Sequence, residues 1–230
     1  MAYLARFWDS TIGKKIVMAI TGIFGVLFVL GHMSGNLLMF KGAEAMHDYA
    51  VLLRTSMPVL WGARIALIGA VVLHAVAALQ LVQRSNAARP QAYAKKAPQV
   101  TTFAAKTIRY GGVLLLVFIV FHILHMTLGV VAAPGFVHLD PYNNVRQGLA
   151  NPLVAGFYLL AMAALGLHLY HGTWAVFRTL GVARPSPTPL KRRLAVALAA
   201  IVVLGFAAIP LGALAGAFTE QPSPVTAEGH

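Results

Sequence analysis

The segment LLLVFIVFHILHMTLGVV, residues 114–131, places two histidines inside a block that is otherwise almost entirely apolar. Such a block is long enough to cross the hydrocarbon core of a bilayer, which takes about 20 helical residues. Four further blocks have the same character. The predicted spans are Ile16–Phe40, Trp61–Val82, Thr107–Ala133, Pro152–Thr179 and Leu194–Phe218. The sequence therefore predicts an all-α bundle of five transmembrane helices, forming a single domain over residues 1–230.

The composition fits a membrane protein and excludes several kinds of chemistry. Of the 230 residues, 59% are hydrophobic and 10% are charged, whereas soluble domains carry about 25% charged residues. The chain has no cysteine, which excludes disulfides, thiolate-held iron–sulfur clusters and c-type haem attachment within it. The six acidic residues all lie outside the predicted spans: Asp9, Glu44, Asp48, Asp140, Glu220 and Glu228. No intramembrane carboxylate pair is expected for acid–base catalysis or an ion relay.

The basic residues predict the orientation of the chain in the membrane. Of the 18 Lys and Arg residues, 14 flank the spans on the side of the N-terminus and four lie on the other side. Because cytoplasmic loops carry such an excess, the N-terminus is predicted to be cytoplasmic and the C-terminus outside. The net charge of +12 then follows from topology, and no nucleic-acid partner is expected. Loops 83–106 and 180–193 and the N-terminal segment form the predicted docking face for protein partners.

Six of the nine histidines fall inside the predicted spans, where polar groups are costly and tend to be functional. They occupy the first four spans: His32, His74, His122 with His125, and His168 with His171. Neighbouring spans run in opposite directions, so the histidines of spans one and three share the outer half of the bilayer, and those of spans two and four the inner half. Histidine on both faces of iron is typical of an electron-transfer b-type haem. Zinc fits less well, because it usually takes three or four ligands at one point.

Over almost its whole length the chain resembles the single-subunit diheme cytochrome b membrane anchors of succinate dehydrogenases and fumarate reductases. The resemblance rests on the order and spacing of five segments: STIGKKIVMAITG (10–22), VLGHMSGNL (29–37), VLHAVAALQL (72–81), FHILHMTLG (121–129) and GLHLYHGTW (166–174). It implies a protein of the bacterial inner membrane, surrounded by lipid, that anchors a flavoprotein subunit and an iron–sulfur subunit to the cytoplasmic face. It also implies electron transfer between these partners and quinone through two haems b, with the succinate or fumarate chemistry on the partner chains.

In that family each of the first four spans gives one axial ligand to a haem iron. The implied ligands are His32, His74, His122 and His168, with His125 and His171 as alternates. His32 is expected to pair with the third span at the outer haem. His74 is expected to pair with the fourth span at the inner haem.

The two doubled positions require a choice. His122 is preferred over His125 because it lies nearer mid-depth and follows an apolar run. His125, closer to the outer surface, is then placed to hydrogen-bond a haem propionate or a quinone. His168 is preferred over His171 because Gly172 follows it by one turn, as in the family. A glycine there leaves room for the edge of a porphyrin.

The family also implies a quinone site, with menaquinone as the expected quinone. An inner-surface pocket would use a hydroxyl and a basic residue one turn apart, which Ser10 and Lys14 match. In diheme relatives that use menaquinone, the pocket can lie near the outer haem beside an acidic residue, and Glu44 and Asp48 are the acids near that end.

Two other functions stay open on the sequence. One is a different bis-histidine membrane cytochrome b, such as the cytochrome b subunit of a quinol:cytochrome c reductase or a b561-type reductase. In the former, two helices each carry ligands to both haems, whereas the doubled histidines here are only three residues apart, less than one turn. The other is a transporter or proton channel that uses intramembrane histidines, although it would lack the carboxylates usual in such relays.

Overall fold

The computed structural model describes residues 2–88, 102–181 and 189–227, and these residues form helices and connecting turns without strands. In chain order the elements are α1 (Ala2–Asp9), α2 (Thr11–Asn36), a 3₁₀ turn (Leu37–Phe40), α3 (Ala43–Leu52), α4 (Met57–Ala87), α5 (Phe103–His122), a π turn (Ile123–Thr127), α6 (Pro141–Leu149), α7 (Pro152–Thr179), α8 (Pro189–Leu214) and α9 (Pro224–Ala227). The predicted all-α class is confirmed for this part of the chain.

Five helical segments are long and apolar enough to cross a membrane. They are Thr11–Phe40, Met57–Ala87, Phe103–Thr127, Pro152–Thr179 and Leu190–Leu214. Large apolar side chains point outward along them, as at Leu27, Ile65, Val113 and Leu204, which are 64%, 66%, 61% and 70% exposed. Such a surface suits lipid rather than water. The prediction of five spans is confirmed at this level.

The third span ends earlier than its apolar composition predicts. The predicted span continues to Ala133, whereas the helix ends at Thr127 after widening into a π turn. The following backbone takes positive φ angles of 65° at Gly129 and 51° at Ala132, which an α-helix excludes. Hydropathy alone does not register such a break, because the residues on both sides of it are apolar.

The helices pack so that two pairs of them have no close backbone approach. Helix α2 packs against α4, and α7 packs against both α5 and α8. Neither α2 with α5 nor α4 with α7 is among the closely packed pairs. Within each of these pairs the two helices are therefore separated by a gap in backbone contact, and side chains reach across it.

One end of the bundle carries a cap formed by α3, α6 and residues 215–223. The α6 helix begins after Asp140, whose carboxylate accepts a hydrogen bond from the Asn143 amide (3.2 Å). The C-terminal segment is fixed by Asn143 Nδ2, which donates to the Gln221 carbonyl (3.0 Å), and by Tyr142, which donates to the Thr219 carbonyl (3.0 Å). These bonds hold α6 against the end of the bundle where α2 and α5 finish.

Candidate functional site

The first pair of intramembrane histidines lies near the cap. The rings of His32 on α2 and His122 on α5 have centroids 5.7 Å apart and planes at 78°. Each ring stacks on a phenylalanine one turn earlier in its own helix, Phe28 for His32 and Phe118 for His122. The pair thus spans the gap between two helices that do not pack together.

The second pair lies toward the opposite end. His74 on α4 and His168 on α7 have ring centroids 6.1 Å apart. Thr21 holds the first of these rings: its Oγ1 lies 3.1 Å from His74 Nδ1 and donates its own proton to the Val17 carbonyl (2.7 Å). Since the hydroxyl proton is already used, His74 Nδ1 must be the donor to Thr21. The proton of His74 then sits on Nδ1, and Nε2 carries a free lone pair.

These two pairs fit an iron held between two imidazoles. An imidazole nitrogen binds a transition metal at about 2 Å, so two rings on opposite sides of one metal have centres roughly 6 Å apart. Both ring separations are close to that value. Among the described residues no three His, Asp or Glu side chains gather at one point. The geometry therefore suits a ligand that needs one histidine on each side.

The four paired rings are not fully buried, and small residues lie beside the second pair. All four rings are only half-buried although they point into the bundle. Two glycines face the second pair: a Cβ at Gly22 would lie 3.6 Å from His74 Cε1, and one at Gly112 would lie 4.0 Å from His168 Cε1. His168 Nδ1 is buried, and no described residue offers it a hydrogen bond. Gly22 and Gly112 thus leave the faces of α2 and α5 next to the second pair without side chains.

No protein-family model, no curated protein and no solved structure matches the chain.

The alternate histidines are placed differently from the paired ones. His125 is fully buried at 1% exposure, and its Nδ1 lies 2.8 Å from the hydroxyl of Tyr158. Its Nε2 faces the backbone of α6, where a Cβ at Gly148 would overlap the ring. His171 makes no ring contact with His74 in the part of the chain that the structure describes. The structure thus brings together His122 and His168, the two preferred residues, with the histidines across the gaps.

The two residues of the predicted inner quinone pocket behave differently. Ser10 is the N-cap of α2: its Oγ accepts from the Gly13 amide and donates to the Phe7 carbonyl, both at 2.8 Å. Its hydrogen bonds thus serve the helix end. Lys14 is 1% exposed and donates to the Trp8 carbonyl. It lines a cavity of about 300 Å³ together with polar side chains of α4.

Sequence reasoning missed the α4 side of that cavity. Its lining includes Gln80, Gln83 and Arg84, one turn or less apart and beyond His74 on the same helix. Arg84 also donates to the Asp9 carbonyl and lies 3.8 Å from its carboxylate, which ties α4 to α1. The available signal was a group of hydrogen-bonding side chains at the end of an apolar span.

The acids near the cap are divided between two environments. Asp48 lines an open cavity of about 290 Å³ with His47 and Thr55, whereas Glu44 is not part of that lining. His47 itself is buried, and its Nδ1 lies 2.9 Å from the Leu139 carbonyl. The structure therefore places one of the two predicted acids beside a cavity at the cap end of the bundle.

Part of the predicted docking face lies outside the described residues. This applies to Arg89, Lys95, Lys96 and Arg184. The basic side chains that are described on this side include Arg84, Lys106 and Arg178.

Proposed function

We propose that the chain is the membrane-anchoring cytochrome b subunit of a succinate:quinone oxidoreductase, with two bis-histidine haems b. The observation that carries the proposal is the meeting of His32 with His122 and of His74 with His168. Each pair crosses a gap between helices that do not otherwise pack together. Polar side chains are costly inside a membrane and tend to be functional there, so two such pairs of facing histidines support a ligand role.

The chain's own residues would position and shield the two haems. When bound, each haem supplies a one-electron couple whose potential depends on its ligands and on burial. Thr21 orients His74, and the stacked rings of Phe28 and Phe118 fix the planes of the first pair. The cap covers the end of the bundle nearest His32 and His122. Two sites toward opposite ends of one bundle support electron transfer along the membrane normal.

We place the quinone in the polar cavity at the end where α1 lies. Lys14, Gln80, Gln83 and Arg84 offer hydrogen-bond donors there, and a quinone head group presents two carbonyl acceptors. Gln80 follows His74 by six residues, about 9 Å along the helix axis. An electron carrier held by His74 would therefore be close to this cavity. Menaquinone is the quinone that the resemblance implies.

The partner subunits are proposed to dock at the same end. The excess of Lys and Arg on this side supports a cytoplasmic N-terminus, and the flavoprotein and iron–sulfur subunits would then bind on the cytoplasmic face of a bacterial inner membrane. The chain itself carries no succinate chemistry in this proposal. It receives or delivers electrons while the partner subunits oxidise succinate or reduce fumarate.

A difference spectrum of the purified chain tests the central claim. The full chain, expressed in a haem-producing host, is expected to give reduced-minus-oxidised bands of b type and two haems per chain. Single His32→Ala and His74→Ala variants are each expected to lose one haem, and a different one in each case. Copurification with an iron–sulfur and a flavoprotein subunit, followed by succinate-driven haem reduction, tests the partners.

The absence of haem from the purified, folded chain would overturn the proposal and would leave a histidine-containing transporter in its place. Two haems without succinate-driven reduction in the assembled complex would instead favour another bis-histidine cytochrome b. The two results are separable, because the first concerns cofactor content and the second concerns the electron donor.

A further inference from the structure

One phenol lies between the two histidines of the third span. The Tyr158 hydroxyl on α7 is 3.1 Å from His122 Nδ1 and 2.8 Å from His125 Nδ1. The two histidines belong to adjoining elements, since α5 ends at His122 and the π turn contains His125. Such turns occur frequently at functional sites. No further hydrogen-bond partner of this hydroxyl occurs among the described residues.

The protons of this triad allow only two complete arrangements. A phenol donates one proton, and a neutral imidazole carries one N–H. Tyr158 therefore donates to one ring and accepts from the other. The ring that donates through Nδ1 has a bare Nε2 that can bind a metal, whereas the ring that accepts at Nδ1 carries its proton on Nε2 and cannot. A single hydroxyl thus gives the two histidines opposite tautomers.

The surroundings of the rings decide between the arrangements. His122 faces His32 across the gap, so its Nε2 is the nitrogen that needs a free lone pair. His125 is buried against α6, and a Cβ at Gly148 would already overlap its ring, which leaves no space for a metal-bound group there. It follows that His122 Nδ1–H donates to Tyr158 and that Tyr158 O–H donates to His125.

We propose that Tyr158 is the positioning residue that makes His122, and not His125, the outer haem ligand. This inference rests on the proposed function, since it takes His122 as a ligand. Tyr158 also accepts a hydrogen bond from that ligand, and an acceptor at Nδ1 raises the basicity of the ligating nitrogen. A more basic ligand favours ferric iron, so Tyr158 holds the potential of the outer haem down.

The test uses the full chain in membranes, with Tyr158→Phe compared with Tyr142→Phe. Both changes remove one buried hydroxyl and keep the ring, but Tyr142 donates to the Thr219 carbonyl in the cap. In Tyr158→Phe, haem titration is expected to show about 10–100-fold weaker binding at the outer site. Redox titration is expected to show a higher potential for that haem alone. A tenfold change in the ferric-to-ferrous affinity ratio corresponds to about 59 mV.

An unchanged outer potential and affinity in a folded Tyr158→Phe protein would overturn the inference, and so would an equal shift in Tyr142→Phe. If Tyr158→Phe does not fold, His125→Ala and His122→Ala decide the question: the first is expected to keep two haems and the second one. The reverse result would make His125 the ligand and refute the inference. A wild-type chain without haem would refute the proposed function instead, so the two failures are distinguishable.

Discussion

At the scale of single residues, hydroxyl groups hydrogen-bond to histidine ring nitrogens and so orient the rings. Thr21 has one hydroxyl proton and gives it to the Val17 carbonyl, so it can only accept from His74 Nδ1. The sequence placed Thr21 in a segment of the family resemblance, but it did not reveal this role. Threonine in a span commonly bonds to its own helix, and only the packing of α2 on α4 shows that it also reaches a histidine.

Replacement of Thr21 by valine tests this contact with almost no change in shape. The variant loses the Thr21 acceptor for His74 and keeps only the backbone hydrogen bond with Met18, so haem affinity at the inner site is expected to fall by about 10–100-fold and the potential of that haem to rise. Thr107→Val is the matched control, because Thr107 on α5 bonds only to carbonyls of its own helix. Haem titration with optical redox measurement gives both quantities. Identical curves for the two variants would remove Thr21 from the site.

Gly148 offers a second prediction at this scale, because α6 approaches His125 too closely for any side chain. In Gly148→Ala the new methyl group must displace the ring or the helix, and overpacking of this kind costs about 1–3 kcal/mol. Gly156→Ala on α7 is the control: no atom lies within 4 Å of its Cβ position, and alanine favours a helix over glycine by about 0.5–1 kcal/mol. Thermal unfolding in detergent should therefore shift in opposite directions, and a shift of the same sign would contradict the described fit.

At the scale of elements, the spans were predictable and the cap was not. Apolar blocks of about 20 residues identify transmembrane helices almost regardless of tertiary context. The sequence predicted the five transmembrane helices alone, yet the connecting segments contain α3 and α6. Asp140 followed by Pro141 is a helix-start signal that could have indicated α6. The bonds that fix α6 come from Thr219 and Gln221, more than 70 residues away, and no local pattern reveals them.

The histidines also show this contrast between what the order of the helices predicts and what packing determines. The antiparallel order of the spans predicts which histidines lie at the same depth. The pairing of the histidines of α2 with those of α5, and of α4 with those of α7, could therefore be anticipated. Depth and the preceding apolar run favour His122 over His125, but residues three apart lie on neighbouring faces of a helix, so sequence does not show which ring turns toward His32. The direction of each ring depends on the π turn and on the close contact between α6 and His125. Both features arise from tertiary packing.

At the scale of the whole molecule, the lining of the polar cavity near α1 contains none of the four paired histidines. This separation allows a test of the quinone proposal that leaves the haems intact. Lys14 is buried and lines the cavity, whereas its neighbour Lys15 is exposed and does not. Lys14→Met is expected to lower succinate-driven quinone reduction by tens of fold, on the order of 2 kcal/mol for a lost charged donor, with both haems still present. Lys15→Met should match the wild type. Equal turnover in the two variants would place the quinone elsewhere.

The orientation of the whole chain can be tested with single cysteines, because the natural sequence has none. Val130 and Leu180 are exposed at 67% and 44% and lie on opposite sides of the span Pro152–Thr179. A membrane-impermeant maleimide is expected to label Val130→Cys in intact spheroplasts and Leu180→Cys only after the membrane is broken. The physical reason is the distribution of Lys and Arg, which favours the Leu180 side as cytoplasmic. The opposite pattern would put the cavity and the basic loops outside, out of reach of the proposed cytoplasmic partner subunits. Labelling of both positions in intact spheroplasts would instead mean that the helix between them does not cross the membrane.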